Sequence, residues 1–385
     1  MKTIVAAACA AFAAHCAMAQ TAGVTLYGVV DLGVRNGSGL SASNAPAAGS
    51  THSLGSGIHT TSRWGLRGSE DLGGGAKALF NLESGLNADT GAPANASKYF
   101  DRASWVGLQG GWGTLALGRQ TTTLADAISP VDPLAMRFAS FNPNIGVTAL
   151  SQHGLGIEYG SAGANSGSYR LDNSVKYTGR FGGFTARAMW GIGEVTSQAS
   201  ALSSRGVGLA WAADGLVVSG AYQSFNDVNK RSLDGSTLGA AYQWGTVRLA
   251  ANAGRNKAET AAGRFTVQRV LSAGGTWAAT PWVDLTAAYY KVDRSRTGAA
   301  DDGYGRLVAF AEYKLSRRTK VYAELDNTRW RNGFQGAANK ATATGMAAVF
   351  AALMASVKAG DRVEIYRPII ADPETVPRRD TGGEE

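Results

Sequence analysis

The chain has 385 residues, 44% hydrophobic and only 17% charged, with 51 glycines, 2 cysteines and a formal net charge of +8. Glycine is at roughly twice its usual ~7% and charge well below its usual ~25%, which excludes a disordered chain, a collagen and a heptad coiled coil. The mean hydropathy is slightly below zero, and no internal apolar run reaches the roughly 18 residues of a helical span. A multi-span helical membrane protein is therefore excluded, whereas a membrane β-barrel, whose strands alternate apolar and polar residues, is not.

Residues 1–19 read as a secretory signal, with Lys2 as the positive start, residues 4–14 as the apolar stretch and Ala17-Met18-Ala19 as the cleavage site before Gln20. Cys9 and Cys16 both fall inside it. The mature chain is thus expected to have no disulfide and no cysteine-based metal site, and to rest on packing and strand pairing.

From Val24 the pattern has period two. Val24, Leu26, Val30, Leu32 and Val34 fall on one face, and Thr25, Tyr27, Asp31 and Arg35 on the other. In the next stretch Trp64, Leu66 and Gly68 oppose Arg63, Arg67 and Ser69, and beyond a glycine turn Ala76, Ala78, Phe80 and Leu82 alternate with Lys77, Asn81 and Glu83, although Leu79 breaks the polar side.

Seven tight turns recur, centred near residues 72, 111, 182, 214, 244, 280 and 316, and longer polar segments such as 36–61 and 193–204 lie between them. Short turns at one rim and long loops at the other are the habit of outer-membrane barrels, and seven turns with both termini at the short rim require sixteen strands. Most spacings are 30–39 residues, two strands and a loop; the interval from 111 to 182 is 71. The excess falls in residues 120–169, too long for an ordinary connection, and is expected to fold into the barrel.

A β-propeller is disfavoured because no blade motif recurs, and a soluble sandwich because the aromatics cluster at strand ends. Trp64, Trp105, Trp112, Trp190, Trp211, Trp244, Trp277 and Trp282, with Tyr27, Tyr99, Tyr222, Tyr242, Tyr289 and Tyr313, suit girdles at membrane interfaces.

The stretches Val24-Thr25-Leu26-Tyr27-Gly28-Val29-Val30-Asp31, Ser62-Arg63-Trp64-Gly65-Leu66-Arg67-Gly68-Ser69-Glu70-Asp71-Leu72-Gly73, Gly113-Thr114-Leu115-Ala116-Leu117-Gly118-Arg119-Gln120, Asn173-Ser174-Val175-Lys176-Tyr177 and Tyr313-Lys314-Leu315-Ser316 carry a resemblance. The chain resembles the general porins of Gram-negative β-proteobacteria, the Neisseria, Bordetella and Burkholderia type. The resemblance implies an all-β fold: a transmembrane antiparallel β-barrel of about 16 strands whose long third loop folds inward. It also implies a homotrimer in the outer membrane, in contact with lipid and lipopolysaccharide, whose water-filled channels pass small hydrophilic solutes and ions.

The barrel is read over residues 20–347. Such porins end in a strand whose last residue is Phe; here 348–357 has helical apolar spacing, and residues 357–379 look like the end of an RnfH-type ubiquitin-fold protein. The tail 348–385 is too short for that domain and reads as a frameshift or fusion. The resemblance therefore does not carry closure of the last strand onto the first, and an unpaired edge in lipid is costly.

Leaving out Lys2 and the five basic and seven acidic residues from 350 onward, 31 basic and 22 acidic residues remain. Alternation puts Arg63 and Arg67 on the polar face. By resemblance, Arg63, Arg102 and, less closely, Arg137 match constriction arginines of anion-selective relatives, and Asp126, Asp132 and Glu158 would supply a facing negative side. Selectivity depends on such wall charges rather than on net charge, and the pore is expected to prefer anions.

A barrel with a plugged lumen, structural or adhesive, is the other reading. His52, His59 and His153 show no metal-ligand spacing, no nucleophile elbow or phosphate loop occurs, and the basic residues are spread through strands. An enzyme, a cofactor and a nucleic-acid partner are accordingly not expected.

Overall fold

The computed structural model describes residues 23–41, 46–137, 142–144 and 169–333 and the backbone of 342–352. The signal segment and residues 353–385 lie outside the described residues. The first half contains β1 (Gly23–Leu40), β2 (Pro46–Ser56), β3 (Arg63–Gly73), β4 (Ala76–Asn87), the two-residue β5 (Ala92–Pro93), β6 (Ala103–Gly110), β7 (Gly113–Thr121), β8 (Arg170–Phe181) and β9 (Phe184–Gly191). The second contains β10 (Ser204–Ala213), β11 (Leu216–Asn226), β12 (Ser232–Trp244), β13 (Val247–Ala261), β14 (Arg264–Ala278), β15 (Val283–Arg296), β16 (Ala299–Lys314), β17 (Thr319–Arg331) and β18 (Thr342–Ala352). A six-residue helix, α1 (Thr123–Ile128), follows β7.

All pairings are antiparallel. They run from β3 through β4 and β6 and then strand by strand to β18, which pairs back onto β1. β1 meets β3 through residues 23–29 and β2 through residues 32–40, so β2 and β3 are halves of one wall strand interrupted at 57–62. β5 pairs only with the tip of β4. Counting β2 and β3 once and leaving out β5, the eighteen strands make a closed wall of sixteen.

The seven turns stand where the spacing put them, at residues 74–75, 111–112, 182–183, 214–215, 245–246, 279–282 and 315–318. In the first, Gly73, Gly74 and Gly75 take φ of 82°, 61° and 80°, a backbone that side chains resist.

The opposite rim departs from the sequence reading in two places. Most of 36–61 is strand, in β1 and β2, and the β13–β14 and β15–β16 connections are two-residue tips. Strands of 14–16 residues outrun the membrane band, and beyond it both faces meet water, so the apolar alternation that marks a strand is lost.

The last strand also differs. β18 continues to Ala352 rather than stopping at 347, with Ala347–Ala352 in register against both β17 and β1. Two flanking ladders of backbone hydrogen bonds outweigh the weak helical spacing of an alanine-rich run, and the ring closes without an unpaired edge.

The wall is inverted relative to a soluble protein. On β12, Leu238 and Tyr242 are exposed, whereas Thr237 and Ala241 are buried. Asn252, Asn256, Gln268 and Ser272 line the inside, while Trp112, Trp244, Trp277, Trp282 and Tyr313 stand outward near the short turns. Tyr27 is an exception among the expected girdle residues: it faces the lumen, its hydroxyl 2.8 Å from Asn81 Oδ1 and 2.9 Å from Glu83 Oε2.

Part of the lumen is itself apolar. Tyr290, Val292, Tyr304, Val308, Phe310, Tyr322 and Trp330 point inward from β15–β17 and pack with Leu40, Ile58 and Leu134. This cluster fills one side of the barrel and gives the infolded loop a seat.

Candidate functional site

The loop after β7 begins at Thr122, whose hydroxyl accepts from the Ala125 amide at 3.2 Å and caps α1. Next to it Thr123 donates through its amide and its hydroxyl to Gln223 Oε1, at 2.9 and 2.6 Å. The wall makes room for the segment at glycines: a Cβ at Gly206 would stand 2.4 Å from Thr123 Oγ1, and one at Gly239 would stand 2.6 Å from Val131 Cγ2.

Further along, Asp132 is fully buried. Its carboxylate accepts from the amides of Leu134 and Met136, the side-chain amides of Asn142 and Asn144, and the Tyr290 hydroxyl, all at 2.8–3.1 Å. Arg248 donates to the Pro130 carbonyl at 2.7 Å, Asn144 to Ser272 Oγ at 3.2 Å, and Arg137 pairs with Glu312. The loop is thus pinned from β11 to β16.

Between loop and wall lies a cavity of about 530 Å³. Arg63, Arg102, Arg137, Arg170, Arg187 and Arg248, with Lys314 and Lys320, line it, against Asp126 and Asp284 as its lining acids. On one wall Glu83 gathers the charge: Arg102 Nε lies 2.6 Å from Oε1, Arg63 Nε 3.6 Å from Oε2, and the Tyr27 hydroxyl 2.9 Å from Oε2. On the other, Arg137 stands 4.6 Å over the Phe310 ring and 3.3 Å from His59 Nε2.

Of the sequence-predicted residues, Arg63, Arg102 and Arg137 line this one cavity. Arg67, four residues toward the short-turn rim, lies outside the lining, its guanidinium 5.2 Å from the Tyr27 ring. Of the expected acids, the two described ones take different places. Asp126 lines the cavity but pairs with Lys176 at 2.9 Å and lies 3.7 Å from Arg187. Asp132 braces the loop from beneath, because five converging donors stabilise a buried carboxylate better than lumen water does. Glu158 lies outside the described residues.

The sequence reading missed Arg170, Arg187, Arg248, Lys314 and Lys320. Arg187 and Arg248 carry the inward parity of their strands, alternating with outward Trp190 and Leu249, and that is the signal that would have found them.

Tyr169, where the loop rejoins the wall, packs its ring 4.5 Å from the Arg170 guanidinium. Burial alone would raise its phenol, but Arg170, Arg102 and Arg63 together bring it down to about 8. Ionisation adds a negative charge to the arginine cluster only above that value. Any anion preference is therefore expected to fall as pH rises from 7 to 9 and Tyr169→Phe to abolish that fall, as read from the zero-current potential in a salt gradient.

A closed barrel of sixteen antiparallel strands, apolar outside, polar inside and narrowed by one infolded loop, is a membrane-spanning channel of the outer-membrane class. The chain belongs to the Gram-negative porin family, whose model matches residues 6–333. Outer membrane porin protein 32 of Delftia acidovorans is 32% identical over 335 residues, which cover 84% of this chain and 88% of that protein. An outer membrane porin protein of Bordetella pertussis is 35% identical over 202 residues, 50% of this chain and only 47% of that protein's length. Among solved structures, the anion-selective porin from Comamonas acidovorans superposes with a TM-score of 0.71 at 25% identity, over 86% of this chain and 100% of that one. An RnfH family ubiquitin model also matches residues 308–380, a range whose first part is the end of β16, with β17 and β18, of the barrel.

Proposed function

We propose that this outer-membrane channel passes small hydrophilic solutes and ions by passive diffusion and prefers anions. One observation carries the reading: eight basic side chains line the constriction cavity against two acidic ones, and each of those acids is paired with a lysine, Asp126 with Lys176 and Asp284 with Lys314. Guanidinium groups stay charged at any physiological pH and hand an anion from one fork of donors to the next. The anion-selective porin of Comamonas acidovorans, similar in fold and at 25% identity, supports the sign. As the family resemblance implies, three copies are read as a trimer, each with its own channel; the barrel section is read as residues 20–347, lengthened to Ala352 by β18, with a tail after it that is not an independent domain.

In planar bilayers the purified protein is expected to give open channels whose zero-current potential in a KCl gradient has the sign of chloride preference. A potential of the opposite sign overturns the anion reading, and the absence of conductance favours a plugged barrel.

A further inference from the structure

At the break between β2 and β3 the wall itself enters the lumen. Between its pairings with Arg63 and Ser56, β1 spends two residues, Val30 and Asp31, where the partner strand spends six, 57–62, and the surplus leaves the wall. It goes inward. Ile58 joins the apolar lumen cluster, and the His59 ring lies 5.1 Å from that of Phe310 and 4.7 Å from that of Tyr322. Thr60 and Thr61 stay half-buried and line the constriction cavity beside His59.

Asp31, fully buried, holds this inward fold. The His59 and Thr60 amides donate to its Oδ2 at 2.9 and 2.6 Å, and the Tyr322 hydroxyl to its Oδ1 at 3.0 Å. Its backbone carbonyl accepts from the Gly57 amide at 2.8 Å and the Ser62 hydroxyl at 3.0 Å, so both ends of the fold are tied to one residue. From there the fold reaches arginines on both sides of the cavity. The Thr61 carbonyl accepts from Arg63 Nη1 at 2.8 Å, and His59 Nε2 stands 3.3 Å from Arg137 Nη1 and 3.3 Å from Glu312 Oε1.

We infer that residues 57–62 form a second constriction element beside the infolded loop, and that Asp31 is the positioning residue that sets the width of the pore and the place of Arg63 and Arg137 in it. Without that carboxylate the His59 and Thr60 amides turn to lumen water and the fold slackens. The two guanidinium groups then stand farther from the ion's path, where their field is weaker and more screened. The inference rests on the channel reading above and deepens it.

The test compares Asp31→Ala with Asp31→Asn in planar bilayers. Both remove the same charge, but asparagine keeps an oxygen for the two amides and offers an N–H to the Tyr322 hydroxyl, so it holds the fold. A charge acting only through its field would, once removed, raise anion preference equally in both variants. Positioning splits them: Asp31→Ala is expected to raise the single-channel conductance and move the zero-current potential toward zero, whereas Asp31→Asn should restore the conductance with anion preference equal or stronger. Equal shifts in the two variants overturn the inference. A second measurement leaves Asp31 in place. Cys9 and Cys16 both lie in the segment read as the signal, so Thr60→Cys supplies one thiol to the mature chain. A neutral methanethiosulfonate reagent is expected to remove much of the current there and none at Ser50→Cys, exposed at the long-loop end of β2. If Asp31→Ala does not fold, this reading decides, and a current unchanged by the reagent at Thr60→Cys overturns the inference. The channel reading fails separately, through the unaltered protein: a preference for cations overturns the anion reading and leaves the conductance comparison to decide here.

Discussion

Asp132→Ala is expected to release the infolded loop while leaving the barrel folded. The carboxylate collects five donors, three of them side chains from Asn142, Asn144 and Tyr290, and alanine leaves all five without that acceptor. An unmet buried polar group costs about 1–3 kcal/mol, so the loss amounts to several kcal/mol. The burial of Leu134, worth about 1.5–3 kcal/mol, opposes release but does not match that loss. The wall closes through strand pairing that never passes through the loop, so heat-modifiability on gels should be retained. Protease cleavage within 130–144 should accelerate by about a hundredfold, the equivalent of some 3 kcal/mol, and single-channel current should become noisy. Unchanged cleavage and a steady current would show that the loop is held by its apolar seat alone. Tyr290→Phe removes one donor and should give a correspondingly smaller effect.

The architecture was legible because it rests on local signals. Glycine turns recur at fixed intervals, one polar face repeats every second residue, and the excess length falls at 120–169; together these determine the strand number and the position of the infolded loop. Strand parity likewise set Arg63 on the inner face. Asp132 was not legible: from the sequence it is one carboxylate in a polar loop, and the partner that defines its role, Tyr290, lies 158 residues away. The apolar lumen cluster was hidden for the same reason. Tyr304, Val308 and Phe310 occupy positions that alternation reserves for water-facing residues, and the return of Leu134 from the loop, Ile58 from the break between β2 and β3 and Leu40 from the end of β1 removes them from water. At the chain's end the error ran the other way, since local spacing over 348–357 spoke for helix where two neighbouring strands impose extended backbone as far as Ala352.

The largest change in selectivity is expected from Arg63→Ser/Arg102→Ser. Three guanidinium groups, Arg63, Arg102 and Arg170, share one side of the cavity with Glu83, a local balance of about two positive charges. The double substitution brings that balance to zero. A unit charge roughly 8 Å from an ion's path shifts its energy by about 0.5–2 kcal/mol for an effective dielectric between 80 and 20. Two such charges act with opposite sign on the anion and the cation, so the preference should fall several-fold and the zero-current potential should move toward zero. Because the Debye length shortens from about 8 Å at 0.15 M to about 3 Å at 1 M, the difference between variant and unaltered protein should shrink in concentrated salt. Glu83→Gln supplies the opposite sign: it removes the negative charge, raises the local balance by one and should strengthen anion preference, although both arginines lose an ionic partner. If the cluster served only to hold the wall together, either change would loosen it and both variants would lose selectivity in the same direction. Opposite shifts of the potential identify the field of these charges as the cause, and parallel shifts reject it.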